Sequence, residues 1–118
     1  MMKSLFVVTL FLLLGPRTTH GLKILLTNEA GIEEHGLRTL RAALVRKGHH
    51  VSTYAPKSDQ TGMGAALNMP TVQVEPYGDL ADDMWAVDGY PSTAVLVGLA
   101  QMDREPDLVR ITYYYIFW

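Results

Sequence analysis

The sequence predicts an α/β fold, a three-layer Rossmann-like arrangement of helices around a mainly parallel sheet. Three observations predict it. Apolar runs of strand length recur along the chain, helical patterns fall between them, and the first run is largely apolar rather than alternating. Strands that alternate with helices call for parallel crossovers, and a strand covered on both faces has no polar side to show.

Leu22 to Leu26 is the first strand. Gly36 to Lys47 is the first helix, because Leu37, Leu40, Ala43 and Leu44 fall on one stripe while Arg38, Arg41 and Arg46 point elsewhere. Lys47 and Gly48 end it with a cation in the last turn and a residue free to turn left-handed. Val51 to Ala55 is the second strand, stopped by Pro56, and a polar, glycine-bearing surface loop runs from Lys57 to Asn68. Thr71 to Glu75 alternates as a half-buried strand does, and Pro76 to Asp79 turns away from it. Met84 to Val87 is a short strand. Pro91 suits the first turn of a helix reaching about Met102, with Val95, Leu96, Leu99 and Met102 as its apolar positions. Leu108 to about Thr112 is the last strand.

Ahead of this pattern, Met1 to Gly21 reads as a secretory signal: Lys3, an apolar run from Leu5 to Leu14, the Gly15-Pro16 break, then small residues before a cleavage site after Gly21. The run is about half of the roughly 20 apolar residues a membrane span needs, so the expectation is a secreted chain with no stable membrane insertion after cleavage. Removing 21 of 118 residues leaves 97, enough for one small domain. That part carries all 12 acidic residues and 8 of the 10 basic ones, a formal charge of −4, which argues against a nucleic-acid polymer as partner. Cysteine is absent, so packing alone must hold the core.

Three strand-to-helix or strand-to-loop junctions carry the candidate chemistry. Thr27-Asn28-Glu29-Ala30-Gly31 puts a carboxylate at the end of the first strand, where open parallel sheets bind ligands, and the following helix would aim its positive end at an anion. The same residues also make ordinary turn chemistry. Thr61-Gly62-Met63-Gly64 sets a hydroxyl among glycines, suited to close backbone approach to an oxyanion or to a flexible loop. Ser92 and Thr93, after Pro91, either donate to a phosphate or simply open a helix. His49 and His50 enter a strand on opposite faces and cannot easily share an ion.

Together and in this order, the junctions resemble the SurE family of survival-protein phosphatases and nucleotidases. "KILLTNEAGI" is similar to the family's "ILLTNDDGI" opening, "APKSDQTGMGAAL" to its "AP…QSG" loop, and "WAVDGYPSTAVLVGL" to its "GTP.DCV" segment, so the likeness covers Leu22 to about Val109. The resemblance implies a SurE-like domain over residues 22–110 and a divalent-metal-dependent phosphomonoesterase. Its cofactor would be Mg²⁺ or Mn²⁺, and its substrates nucleoside monophosphates or small phosphate esters. Family proteins hold the ion with two consecutive acids, a loop serine and a downstream asparagine. Glu29 matches the first acid and is the expected catalytic and metal-binding residue; Thr61 matches the serine as second metal ligand; Ala30 stands at the second acid and offers no donor. Asn28, Gly31 and Gly62, with Ser92 and Thr93, are the expected phosphate-binding residues. The family's "SGIN" stretch does not follow Pro106-Asp107-Leu108-Val109. Residues 111–118 are instead an aromatic tail, expected to be a truncation or alternative ending, in place of the segment through which the family forms homo-oligomers. The expected outcome is reduced activity with a weakly bound ion. The alternative is a secreted, non-catalytic remnant that binds a phosphate or a protein partner.

Overall fold

The computed structural model describes residues 20–68 and 71–113. The secretory-signal reading falls almost wholly outside these residues, as does the aromatic tail beyond Tyr113. Five strands form one sheet in the order β3-β4-β2-β1-β5, with β1 at Lys23–Asn28, β2 at His50–Pro56, β3 at Val74–Pro76, β4 at Met84–Val87 and β5 at Leu108–Thr112. All pairings are parallel except β3 with β4. Two helices, α1 at His35–Arg46 and α2 at Pro91–Gln101, cover opposite faces. This is the predicted three-layer α/β arrangement.

β1 lies inside the sheet, between β2 and β5, and all six of its residues are buried. Alternate side chains divide between the layers. Ile24 and Leu26 pack with Val51, Ala55 and Met84 under Leu37, Leu40 and Leu44 of α1. Leu25 packs with Tyr54 and Val87 under Ala94, Val95 and Val97 of α2. Burying each large aliphatic side chain contributes about 1.5–3 kcal/mol, so these two clusters carry most of the stability. Lys23 is the exception on β1, and its ammonium group pairs with Asp103, in the turn after α2.

α2 departs from the predicted stripe. Leu96 and Leu99 are exposed, and the buried positions are Pro91, Thr93, Ala94 and Gly98. Small residues win because the helix lies close on the sheet: a Cβ at Gly98 would lie 2.7 Å from Leu25 Cδ1. On α1, Arg41 does not point into open solvent either. It reaches back to the carbonyl of Asp82 in the 3₁₀ turn Leu80–Asp82. β3 is shorter than predicted and ends at Pro76, which an edge strand tolerates because a proline lacks the ladder donor. β5 pairs with β1 from Ile24 opposite Leu108 to Asn28 opposite Thr112, so Ile111 and Thr112 belong to the sheet. Among the described residues no helix is long and apolar enough to cross a membrane.

The strand order reverses at β1. β2 and β4 extend to one side, while the connection through α2 returns the chain to β5 on the other. A reversal of this kind opens a crevice at the carboxyl ends of the strands, where α/β proteins place ligands.

Candidate functional site

At that edge β1 ends on Asn28, which is 1 % exposed. Its side-chain amide donates to the Gly31 carbonyl at 2.7 Å, and its carbonyl oxygen accepts from the Gly31 amide at 3.2 Å. Asn28 thus ties the loop that follows β1 instead of reaching into the cavity. Gly31 has φ +106°, and a Cβ there would sit 3.2 Å from the Ser58 carbonyl carbon, so only glycine lets the two loops touch. The Ile32 amide donates to the Pro56 carbonyl, and the Gln60 amide to the Glu29 carbonyl, at 2.8 and 2.7 Å. The first two candidate junctions are therefore one packed unit.

Within it the expected metal ligands diverge. The Glu29 carboxylate lies over Gly64, where a Cβ would come within 2.8 Å of Glu29 Oε1. Thr61 instead lines a cavity of about 510 Å³ with Ala30, Glu33, Glu34 and Asp59. Its amide and hydroxyl both donate to Asp59 Oδ1, at 2.9 and 2.5 Å, and these bonds hold the Asp59 carboxyl below its ordinary pKa. A resident Mg²⁺ or Mn²⁺ requires convergent oxygen donors. Ala30 supplies none, Glu29 is not among the residues that line the Thr61 cavity, and among the described residues no three His, Cys, Asp or Glu side chains could share an ion. The residues as placed supply too few convergent oxygens to hold a divalent cation tightly.

The first helix does not offer its amino end to an anion, as the sequence suggested. Glu34 stands at its N-cap and its own carboxylate accepts from the amides of Gly36 and Leu37, at 2.7 and 2.8 Å. The third junction joins the unit through hydroxyls. Ser92 donates to the Gly64 carbonyl; Thr93 Oγ1 accepts from the Asn68 amide at 2.9 Å and donates to Asn68 Oδ1 at 3.2 Å. Asn68 Oδ1 also accepts from the Tyr90 amide at 2.7 Å. Ser92 and Thr93 thus hold the loop in this conformation. Gly62 has φ +87° and open space where a Cβ would be, so its role is conformational.

Two residues of this region escaped the sequence reading. Asp59 sits in the cavity beside Ala30, and its only local signal was a carboxylate two positions before a hydroxyl residue. Asn68 gave none, because its partners lie 22 and 25 residues away.

The family model for Survival protein SurE matches residues 24–110, which span all three junctions. A 5'-nucleotidase SurE of Lawsonia intracellularis is 38% identical over 92 residues, covering 75% of this chain and 36% of the relative. Another from Trichormus variabilis is 40% identical over 93 residues, covering 75% and 35%. The crystal structure of the SurE protein from Aquifex aeolicus superposes with a TM-score of 0.67 at 28% identity, over 76% of this chain and 36% of that one. The chain spans about a third of the length of these relatives. With the fold, the order of the junctions and the sequence match in agreement, this chain belongs to the SurE survival-protein family.

Proposed function

We propose that the chain is a phosphomonoester hydrolase of the nucleotidase type with reduced turnover, acting on nucleoside monophosphates and related small phosphate esters. The observation that carries this reading is the packing of all three junctions into one unit at the carboxyl edge, with Glu29 bonded to Gln60, Gly31 against Ser58 and Ser92 bonded to Gly64. Relatives named 5'-nucleotidase supply the reaction class.

Hydrolysis joins a water oxygen to phosphorus and releases the ester oxygen as an alcohol. In this proposal Glu29 orients that water by accepting its hydrogen bond, while Thr61 and the backbone at Gly31 and Gly62 shape the space for the phosphate. Asn28 acts one step back, through Gly31. Reduced turnover follows from charge. Glu33, Glu34 and Asp59 face the cavity as carboxylates and repel a phosphate dianion unless a cation screens them. A divalent ion would be held weakly here, because Mg²⁺ sites draw their affinity from charged oxygens. The same features favour the second reading, a non-catalytic domain that binds a phosphate or a protein partner. The Met1–Gly21 pattern motivates the further proposal that the chain works in the secretory pathway or outside the cell.

The test is hydrolysis of p-nitrophenyl phosphate and of a nucleoside monophosphate by the purified chain, with and without Mg²⁺ or Mn²⁺, alongside Glu29→Ala. Divalent-dependent turnover that disappears in Glu29→Ala is the expected result. A folded chain without any turnover overturns the enzyme reading and leaves the binding one.

A further inference from the structure

We propose that Asn68 and Thr93 are positioning residues that clasp the loop after β2 onto the first turn of α2 and so keep Gly64 beneath the Glu29 carboxylate; the part of this concerning Glu29 rests on the functional reading above.

The clasp is short and closed. Thr93 Oγ1 both accepts from the Asn68 amide and donates to Asn68 Oδ1, and the hydroxyl belongs to a residue only 4 % exposed. Asn68 Oδ1 takes a second bond from the Tyr90 amide. Tyr90 is the N-cap of α2 and offers no side-chain cap of its own, so a residue 22 positions earlier serves the helix start instead. Gly89 has no room for a side chain, since a Cβ would lie 2.7 Å from Asn68 Oδ1. The loop end and the helix start therefore share one set of hydrogen bonds, and releasing one uncaps the other.

Four residues before Asn68, the Ser92 hydroxyl holds the Gly64 carbonyl. Gly64 is also the residue over which the Glu29 carboxylate lies. A loop free to lift from α2 would carry Gly64 with it and remove the surface against which Glu29 is oriented. The Gln60 amide, bonded to the Glu29 carbonyl, would move with the same loop.

The experiment compares the full chain with Thr93→Val, Thr93→Ser and Asn68→Ala by amide hydrogen exchange and by phosphomonoester kinetics. Loss of the Thr93 hydroxyl is expected to speed exchange of the Asn68 and Gln60 amides by roughly tenfold relative to amides of β1 and β2. It is also expected to lower kcat for p-nitrophenyl phosphate with KM little changed, and Thr93→Ser should restore both. Asn68→Ala tests the same bonds from the loop side, should Thr93→Val not fold. Unchanged loop exchange in a folded Thr93→Val or Asn68→Ala overturns the clasp. Faster exchange with unchanged kcat overturns the positioning role. If the unaltered chain hydrolyses no ester, the functional reading fails by itself, and the Gln60 amide still decides whether the clasp orders the Glu29 loop.

Discussion

Asn28 and Gly31 exchange two hydrogen bonds at the carboxyl end of β1, one in each direction between a buried side-chain amide and a backbone unit. Removing the side chain leaves the Gly31 amide without a partner, and its carbonyl with the Glu34 amide alone, in a place water hardly reaches. Asn28→Ala is therefore expected to destabilise the chain by about 2–4 kcal/mol, seen as a lower midpoint in urea unfolding. A change within 0.5 kcal/mol, the ordinary scale for surface positions, would show that the reciprocal pair does not hold the loop.

Ala30 faces the cavity that Asp59 and Thr61 line. Placing an acid there adds the charged oxygen that a hard cation lacks in this chain. Ala30→Asp is expected to tighten Mg²⁺ or Mn²⁺ binding and to raise divalent-dependent phosphomonoester hydrolysis at least about tenfold. Titration calorimetry and steady-state turnover check the two effects separately, and an unchanged metal affinity would count against the cavity as the ion's location.

Asp59 titrates below its ordinary value of 3.8 because the hydroxyl and the amide of Thr61 both donate to its carboxylate. A lowered folded pKa means that the bonds are fully present above the unfolded value and are lost as pH falls through the folded one. The turn from Asp59 to Thr61 should therefore stay ordered through neutral pH and loosen only in acid, below about pH 4. The Thr61 amide shift followed by NMR reports this. Thr61→Val, which removes the largest cause, should move the Asp59 titration up toward the ordinary carboxylate range.

Thr53 lies on β2 with no exposed surface, and its hydroxyl has no partner among the described residues. An unpaired buried hydroxyl costs free energy that a methyl group does not. Thr53→Val is expected to stabilise the chain by about 1 kcal/mol, measured by the same urea unfolding. A loss of stability would indicate that a solvent molecule satisfies the hydroxyl.

The layering was legible in the residues because β1 and β2 are short apolar segments whose pattern depends on neighbours one or two positions away. Met84–Val87, flanked by Asp83 and Asp88-Gly89, and Leu108–Thr112, preceded by Pro106-Asp107, were bounded correctly for the same reason. The outer face of α2 was misread because Leu96 and Leu99 look like core residues in isolation. Only the close approach of Gly98 to Leu25 and Tyr54 shows which side of the helix meets the sheet. At the site, proximity in sequence brought Asn28 and Gly31 into view but could not show that each satisfies the other. The Glu34 cap lay three residues beyond the motif that drew attention, and the bonds of Asn68 reach across two of the five strands, β3 and β4. Side-chain direction was the deciding unknown: Glu29 and Thr61 lie on touching loops, yet one turns toward Gly64 and the other toward Ala30.

Among the described residues β5 pairs with β1 alone, and Leu108 and Val109 are 45 % and 40 % exposed on its two faces. Its outer flank is a row of hydrogen-bonding groups at the spacing any extended peptide can match, about 4.8 Å away. Such a flank invites self-association through strand zippering, which no charge or proline within Leu108–Thr112 opposes except the single Arg110. The apparent molar mass from static light scattering should therefore rise with protein concentration, and Val109→Lys should hold it at the monomer value while leaving the chain folded.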